Sequence, residues 1–95
     1  MEQDFLDELI EESTKRNPEF LALMEEARQR RTLLDDLAAI RSRSRISQRT
    51  IAKRIKTSQP AIARLEAGSV DPRLSTLQRY AASIGKRVEW KLVDL

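Results

Sequence analysis

Two short apolar segments of helical period sit almost back to back in this chain, "SQRTIAKRI" at 47–55 and "SQPAIARLEA" at 58–67. The connection between them is three residues or so, which forces a sharp angle between two helices. Ser47 suits the N-cap of the first. Thr57 and Ser58 suit the N-cap of the second, Pro60 its first turn, and Gly68 the position just past its end. Ile51, Ile55, Ile62 and Leu65 then share one core, and Ala52 is small where the helices cross. Gln59, Pro60, Ala63 and Arg64 are left projecting together from the other face. That face lacks the Lys and Glu of an ordinary solvated surface.

The rest of the chain reads as helical up to its last ten residues. Residues 4–16 form an amphipathic helix with Phe5, Leu6, Leu9 and Ile10 as its stripe. Asn17-Pro18-Glu19 marks a boundary, and a second helix carries Phe20, Leu23, Met24 and Ala27 on one side. No Gly interrupts residues 19–67. Either one helix runs from Pro18 into the Arg40s or it breaks near Thr32, and the break is the reading favoured here. Leu33 or Leu34, Leu37 and Ile40 line the helix ahead of the pair. After the turn "SVDPR", Ser75 caps a last helix with Leu77, Ala81 and Ile84 inward, ended by Gly85. Then Val88, Trp90 and Leu92 alternate with Glu89 and Lys91, the pattern of a strand. One strand cannot satisfy its own backbone. It pairs with a second copy through Val88, Trp90 and Leu92, pairs with another protein, or stays a solvated tail; the first is favoured. The expected fold is therefore all-α with a C-terminal β-strand paired across a dimer. Its segments are a 1–32 extension, a 33–85 helical domain and an 86–95 strand.

Composition narrows the chemistry. With 95 residues, 4% aromatic and 35% charged, the chain supports one modest aliphatic core. It has no Cys and no His. Disulfides, thiolate metal sites and His-based catalysis are disfavoured, and nothing asks for a cofactor. The acidic, interrupted N-terminal pattern is neither a signal peptide nor a membrane span, so the expected location is the cytoplasm. Charge is divided along the chain. Residues 1–32 hold nine Asp/Glu against five Lys/Arg; residues 33–95 hold thirteen Lys/Arg against six Asp/Glu. From Arg41 to Arg64 there are eight cations and no acid. A folded helical unit with a one-sign surface points to a polyanion, although such a surface is also compatible with plain solvation.

The outward face of the second helix suits a DNA major groove. Small residues allow deep entry, Gln can bridge an adenine edge or a phosphate, and Arg can hold guanine O6 and N7. The plain alternative makes Arg64 a solvated residue and Gln59 a helix-start residue. "SQRTIAKRIKTSQPAIARLEAGSVDPRLSTLQRYAASIG" resembles the Cro/cI-type, or XRE-family, helix-turn-helix domain, over about Leu33 to Gly85. The resemblance implies base contacts from Ser58, Gln59, Pro60, Ala63 and Arg64. It implies phosphate contacts from Gln48, Thr57 and Arg73, with Gln48 also bracing the recognition helix. Arg43, Arg45 and Arg49 are further phosphate candidates, or diffuse surface charge. The resemblance also implies a partly buried ion pair between Arg41 and Glu66. Two positions depart from the family pattern: Arg45 and Lys56 stand where Gly is common. A left-handed Lys would cost about 1 kcal/mol, or the turn differs slightly.

The flanks, "NPEFLALMEEARQRRTLLDDLAAIRSRSRISQ" and "STLQRYAASIGKRVEWKL", resemble HigA-type antitoxins of bacterial toxin–antitoxin pairs. That resemblance implies a homodimer on an inverted repeat of double-stranded operator DNA, repression of its own operon, and a RelE/HigB-like RNase toxin as partner. Phe5, Leu6, Leu9 and Ile10, on an acidic helix, would bury against such a basic toxin, or against the protein's own domain. The rivals are a stand-alone or phage-like repressor without a toxin and a pure protein-interaction adaptor. An enzyme is the weakest of them, since only carboxylates, Lys and Tyr80 remain for chemistry.

Overall fold

The structure is a computed structural model describing residues 6–9, 11 and 18–94. Its helices from residue 18 onward are α1 (Pro18–Arg43), α2 (Gln48–Arg54), α3 (Gln59–Ala67) and α4 (Leu74–Ser83). Two compact units are present, Met1–Arg30 with Leu92–Leu95, and Arg31–Lys91. In the first, residues 6–9 and 11 are helical. The remainder of the amphipathic helix read over 4–16, and Asn17, lie outside the described residues. In the second, Leu34 and Leu37 of α1, Ile51, Ala52 and Ile55 at α2, Ile62 and Leu65 of α3, and Leu77, Tyr80 and Ala81 of α4 form one buried core.

The favoured break near Thr32 does not occur: α1 runs unbroken for 26 residues. Thr32 is exposed in mid-helix, where a β-branched residue costs only a few tenths of a kcal/mol. Side-chain pairs one turn apart carry the helix through. Arg28 bonds Glu25, Arg30 bonds Glu26 at 3.3 Å, and Arg31 bonds Asp35 at 2.8 Å.

Local caps set the helix pair. The Ser47 hydroxyl accepts the Thr50 N–H at 3.0 Å, and Ser58 accepts the Ala61 N–H at 3.2 Å. α4 begins two residues earlier than a Ser75 cap would allow. Arg73 holds the extended N-cap conformation (φ −70°, ψ 149°) after Pro72, and its carbonyl accepts the Leu77 N–H at 3.1 Å. α2 packs on α3 and α4. Two arginines clamp it to α4: Arg54 donates to the Ser83 carbonyl at 2.7 Å, and Arg79 donates to the Ile55 carbonyl. Each cation thus satisfies a terminal carbonyl of the other helix.

All four helices end alike. A residue with positive φ follows each one: Arg45 (58°), Lys56 (59°), Gly68 (76°) and Gly85 (74°). The next N–H reaches back five residues in every case: Ile46 to Arg41, Thr57 to Ala52, Ser69 to Arg64 and Lys86 to Ala81, at 2.8–3.1 Å. This is the Schellman ending. Lys56 therefore does adopt the left-handed conformation, at about 1 kcal/mol, and so does Arg45. At Gly68 an added Cβ would collide with the Arg31 guanidinium, which donates to the Glu66 carbonyl at 2.5 Å. At Gly85 an added Cβ meets nothing within 4 Å. Gly68→Ala should therefore cost about 2 kcal/mol, and Gly85→Ala about 1 kcal/mol, in urea unfolding. Equal costs would mean that Arg31 moves aside freely.

The C-terminal strand is not formed. Residues 86–94 carry no strand, and no strand occurs among the described residues. Val88 faces the core, and its backbone is satisfied locally. The Gln78 side chain donates to the Val88 carbonyl at 2.7 Å and accepts its N–H at 3.1 Å. A single strand has no ladder to join, and one glutamine amide supplies the donor and the acceptor that a neighbouring strand would have offered. Trp90 and Leu92 remain 51% and 99% exposed.

Candidate nucleic-acid interface

The outward face of α3 is anchored through a hydrogen-bonded chain that begins at a shielded carboxylate. Glu66, near the end of α3, takes two parallel bonds from Arg41, Nε at 2.7 Å and Nη2 at 2.9 Å. Their side chains are only 9% and 15% exposed. The third Arg41 nitrogen, Nη1, donates to the Ile46 carbonyl at 2.8 Å and pins the turn ahead of α2. The Tyr80 hydroxyl, from α4, also donates to Glu66. Burial would push the Glu66 carboxyl up, but the bonds from Arg41, Tyr80 and Gln48 outweigh it and hold it below the usual range. Burial, with the adjacent carboxylate, raises the Tyr80 phenol, so it stays protonated as a donor. No buried side-chain nitrogen or oxygen among the described residues lacks a partner.

From Glu66 the chain runs outward. Gln48, at the start of α2, donates Nε2 to Glu66 Oε1 at 3.0 Å. A carboxylate only accepts, so the Gln48 amide has one permitted orientation, and its Oε1 faces away from the core. That oxygen accepts Nε2 of Gln59, at the start of α3, at 2.8 Å. Gln59 is consequently oriented as well. Its own Oε1 and its second N–H stay open to solvent, the complement of the N6–H and N7 edge of adenine.

The remaining candidates take varied places. Arg64 and Pro60 are exposed on α3, and Ala63 is half-buried. Ser58 is the N-cap. Arg43, Arg45, Arg49, Thr57 and Arg73 are all exposed. The guanidiniums of Arg43, Arg45, Arg49, Arg64 and Arg73 form no ion pair among the described residues, in contrast to Arg31 and Arg41. Leu6 and Leu9 are exposed, while Phe5 and Ile10 lie outside the described residues. Tyr80 is the participant that the sequence reading missed. It lies three residues after Leu77 and four before Ile84, on the same apolar stripe, so its inward direction was legible although its carboxylate partner was not.

Among the described residues no helix is long and apolar enough to cross a membrane. The helix-turn-helix family model matches residues 37–91. Antitoxin HigA1 proteins from two strains of Mycobacterium tuberculosis, CDC 1551 / Oshkosh and ATCC 25618 / H37Rv, are each 39% identical over 79 residues. The match covers 83% of this chain and 53% of each relative, so the chain spans about half the length of these curated relatives. No solved structure matches significantly. With α2 and α3 meeting at a capped corner, an anchored amide and a free guanidinium on the outer helix, and the family model spanning the whole four-helix core beyond its first residues, the chain belongs to the helix-turn-helix family of the XRE (Cro/cI) type.

Proposed function

We propose that this protein is an antitoxin-type repressor that binds operator DNA through α2 and α3. The observation that carries the DNA reading is the chain Glu66–Gln48–Gln59, which orients an exposed amide on the outer helix. Gln59 and Arg64 read bases, with apolar contact from Pro60 and Ala63 and a hydroxyl from Ser58. Gln48, Arg49, Thr57, Arg73, Arg43 and Arg45 hold phosphates. Binding is as a homodimer on an inverted repeat, with recognition helices roughly 34 Å apart. Trp90 and Leu92 supply the contact between copies by side-chain packing.

The toxin half of the reading rests on the antitoxin relatives and on the acidic N-terminal segment with its exposed Leu6 and Leu9. A RelE/HigB-like RNase must be basic to hold RNA, which an acidic, apolar-striped helix complements.

A tandem-affinity purification from the native operon, followed by a mobility-shift assay on the DNA upstream of this gene, tests both halves. The expected result is a small basic protein retained with the chain and a shifted upstream duplex. A shift without a retained protein supports the stand-alone repressor instead. A retained protein without any shift leaves only an adaptor.

A further inference from the structure

The four identical helix endings divide into two kinds. Those after α3 and α4 use glycine, which accepts positive φ without strain. Those after α1 and α2 use Arg45 and Lys56 in the same conformation. These two endings lead directly into α2 and α3. The local sequences repeat, "RISQ" at 45–48 and "KTSQ" at 56–59: a strained cation, one residue, the N-cap serine and a glutamine. The two glutamines are bonded to each other at 2.8 Å, so the repeats lie side by side. Arg45 and Lys56 are exposed and form no ion pair among the described residues. No acid lies between residues 41 and 64 of the sequence, and Asp71 is the one carboxylate among the described residues lining the pocket that Lys56 also lines.

We propose that Lys56, matched with Arg45, is a DNA-phosphate contact whose backbone strain is tolerated in order to set a cation two residues ahead of each N-cap serine. This inference rests on the DNA-binding reading above and adds Lys56 to the interface. The strain has no counterpart in packing, since glycine closes the same ending at Gly68 and Gly85. What glycine lacks is the charge.

The test measures binding to a mixed-sequence 30-base-pair duplex as a function of salt, because phosphate contacts do not depend on sequence. Lys56→Gly should reduce the slope of log K against log salt by about 0.9 per bound copy, while raising Tm by roughly 4 °C. Lys56→Gln keeps the strain and loses the charge, so it should show the reduced slope without the rise in Tm. Arg45→Gly should behave as Lys56→Gly does. Gly85→Lys, which puts a strained cation at an ending that leads into neither helix, should lower Tm and leave the slope unchanged. An unchanged slope in Lys56→Gly overturns the proposal, whatever happens to Tm. A Gly85→Lys slope that rises by as much as Lys56→Gly falls also overturns it, because diffuse charge would then account for the effect. Failure of the parent protein to bind the duplex would sink the DNA-binding reading itself, and is thereby distinguishable.

Discussion

Glu66→Ala should lower the unfolding free energy by about 3–5 kcal/mol, the usual cost of removing one partner from a shielded ion pair. The change strips the Arg41 guanidinium of its carboxylate, leaving its bond to the Ile46 carbonyl, and removes the acceptor of the Tyr80 hydroxyl. It also frees the Gln48 amide, so Gln59 loses its fixed orientation. Urea unfolding measures the first effect, and loss of sequence preference in DNA binding measures the last. The acid limb carries the same information. The folded Glu66 carboxyl lies below its ordinary value of 4.5. A lowered folded value means that the stabilisation is fully present above about 4.5 and is lost as pH falls through the folded value. Glu66→Gln keeps the shape and removes the titration. Its stability should be lower at pH 7 and should fall less than the parent's between pH 5 and pH 3. An equal fall in both proteins would place the acid sensitivity elsewhere.

Arg64→Ala should weaken binding to the upstream DNA by about 1–3 kcal/mol, a factor of roughly 5 to 150, on the reading that α3 enters the major groove. The loss should concentrate at one base pair of the site, where substitutions no longer matter to the variant. Stability should change by less than about 0.5 kcal/mol, because Arg64 is exposed and pairs with no described residue. That separation distinguishes it from Glu66, whose loss damages fold and recognition together. Competition binding against duplexes altered one position at a time measures it. A uniform loss across all duplexes would reassign Arg64 to a phosphate.

The α2–α3 corner was legible because its signals are short-range. Ser47 and Ser58 cap within three residues, Pro60 fits a first turn, and Gly68 takes the positive φ that ends α3. The apolar periods of Ile51, Ile55, Ile62 and Leu65 mark buried faces before any neighbour is known. The continuity of α1 was not legible in the same way. A Thr ahead of two aspartates looks like a cap, and the ion pairs that carry the helix past it compete with that cap on nearly equal terms. The C-terminal segment shows the limit more sharply. Alternation at 88–92 is a real pattern, but a strand is a property of two segments, and here a glutamine on α4 takes up Val88 instead.

What the sequence determined alone is the capped helix pair, its one-sign surface and the residues it turns outward, because caps, periodicity and charge act within a few positions. Only the tertiary structure decided which end of the Gln59 amide faces outward. That direction descends from Glu66 through Gln48, with Arg41 and Tyr80 holding Glu66 in turn, and these groups come from all four helices. A hydrogen-bond direction depends on what stands at its far end, and no local pattern in the chain encodes which distant residue that is.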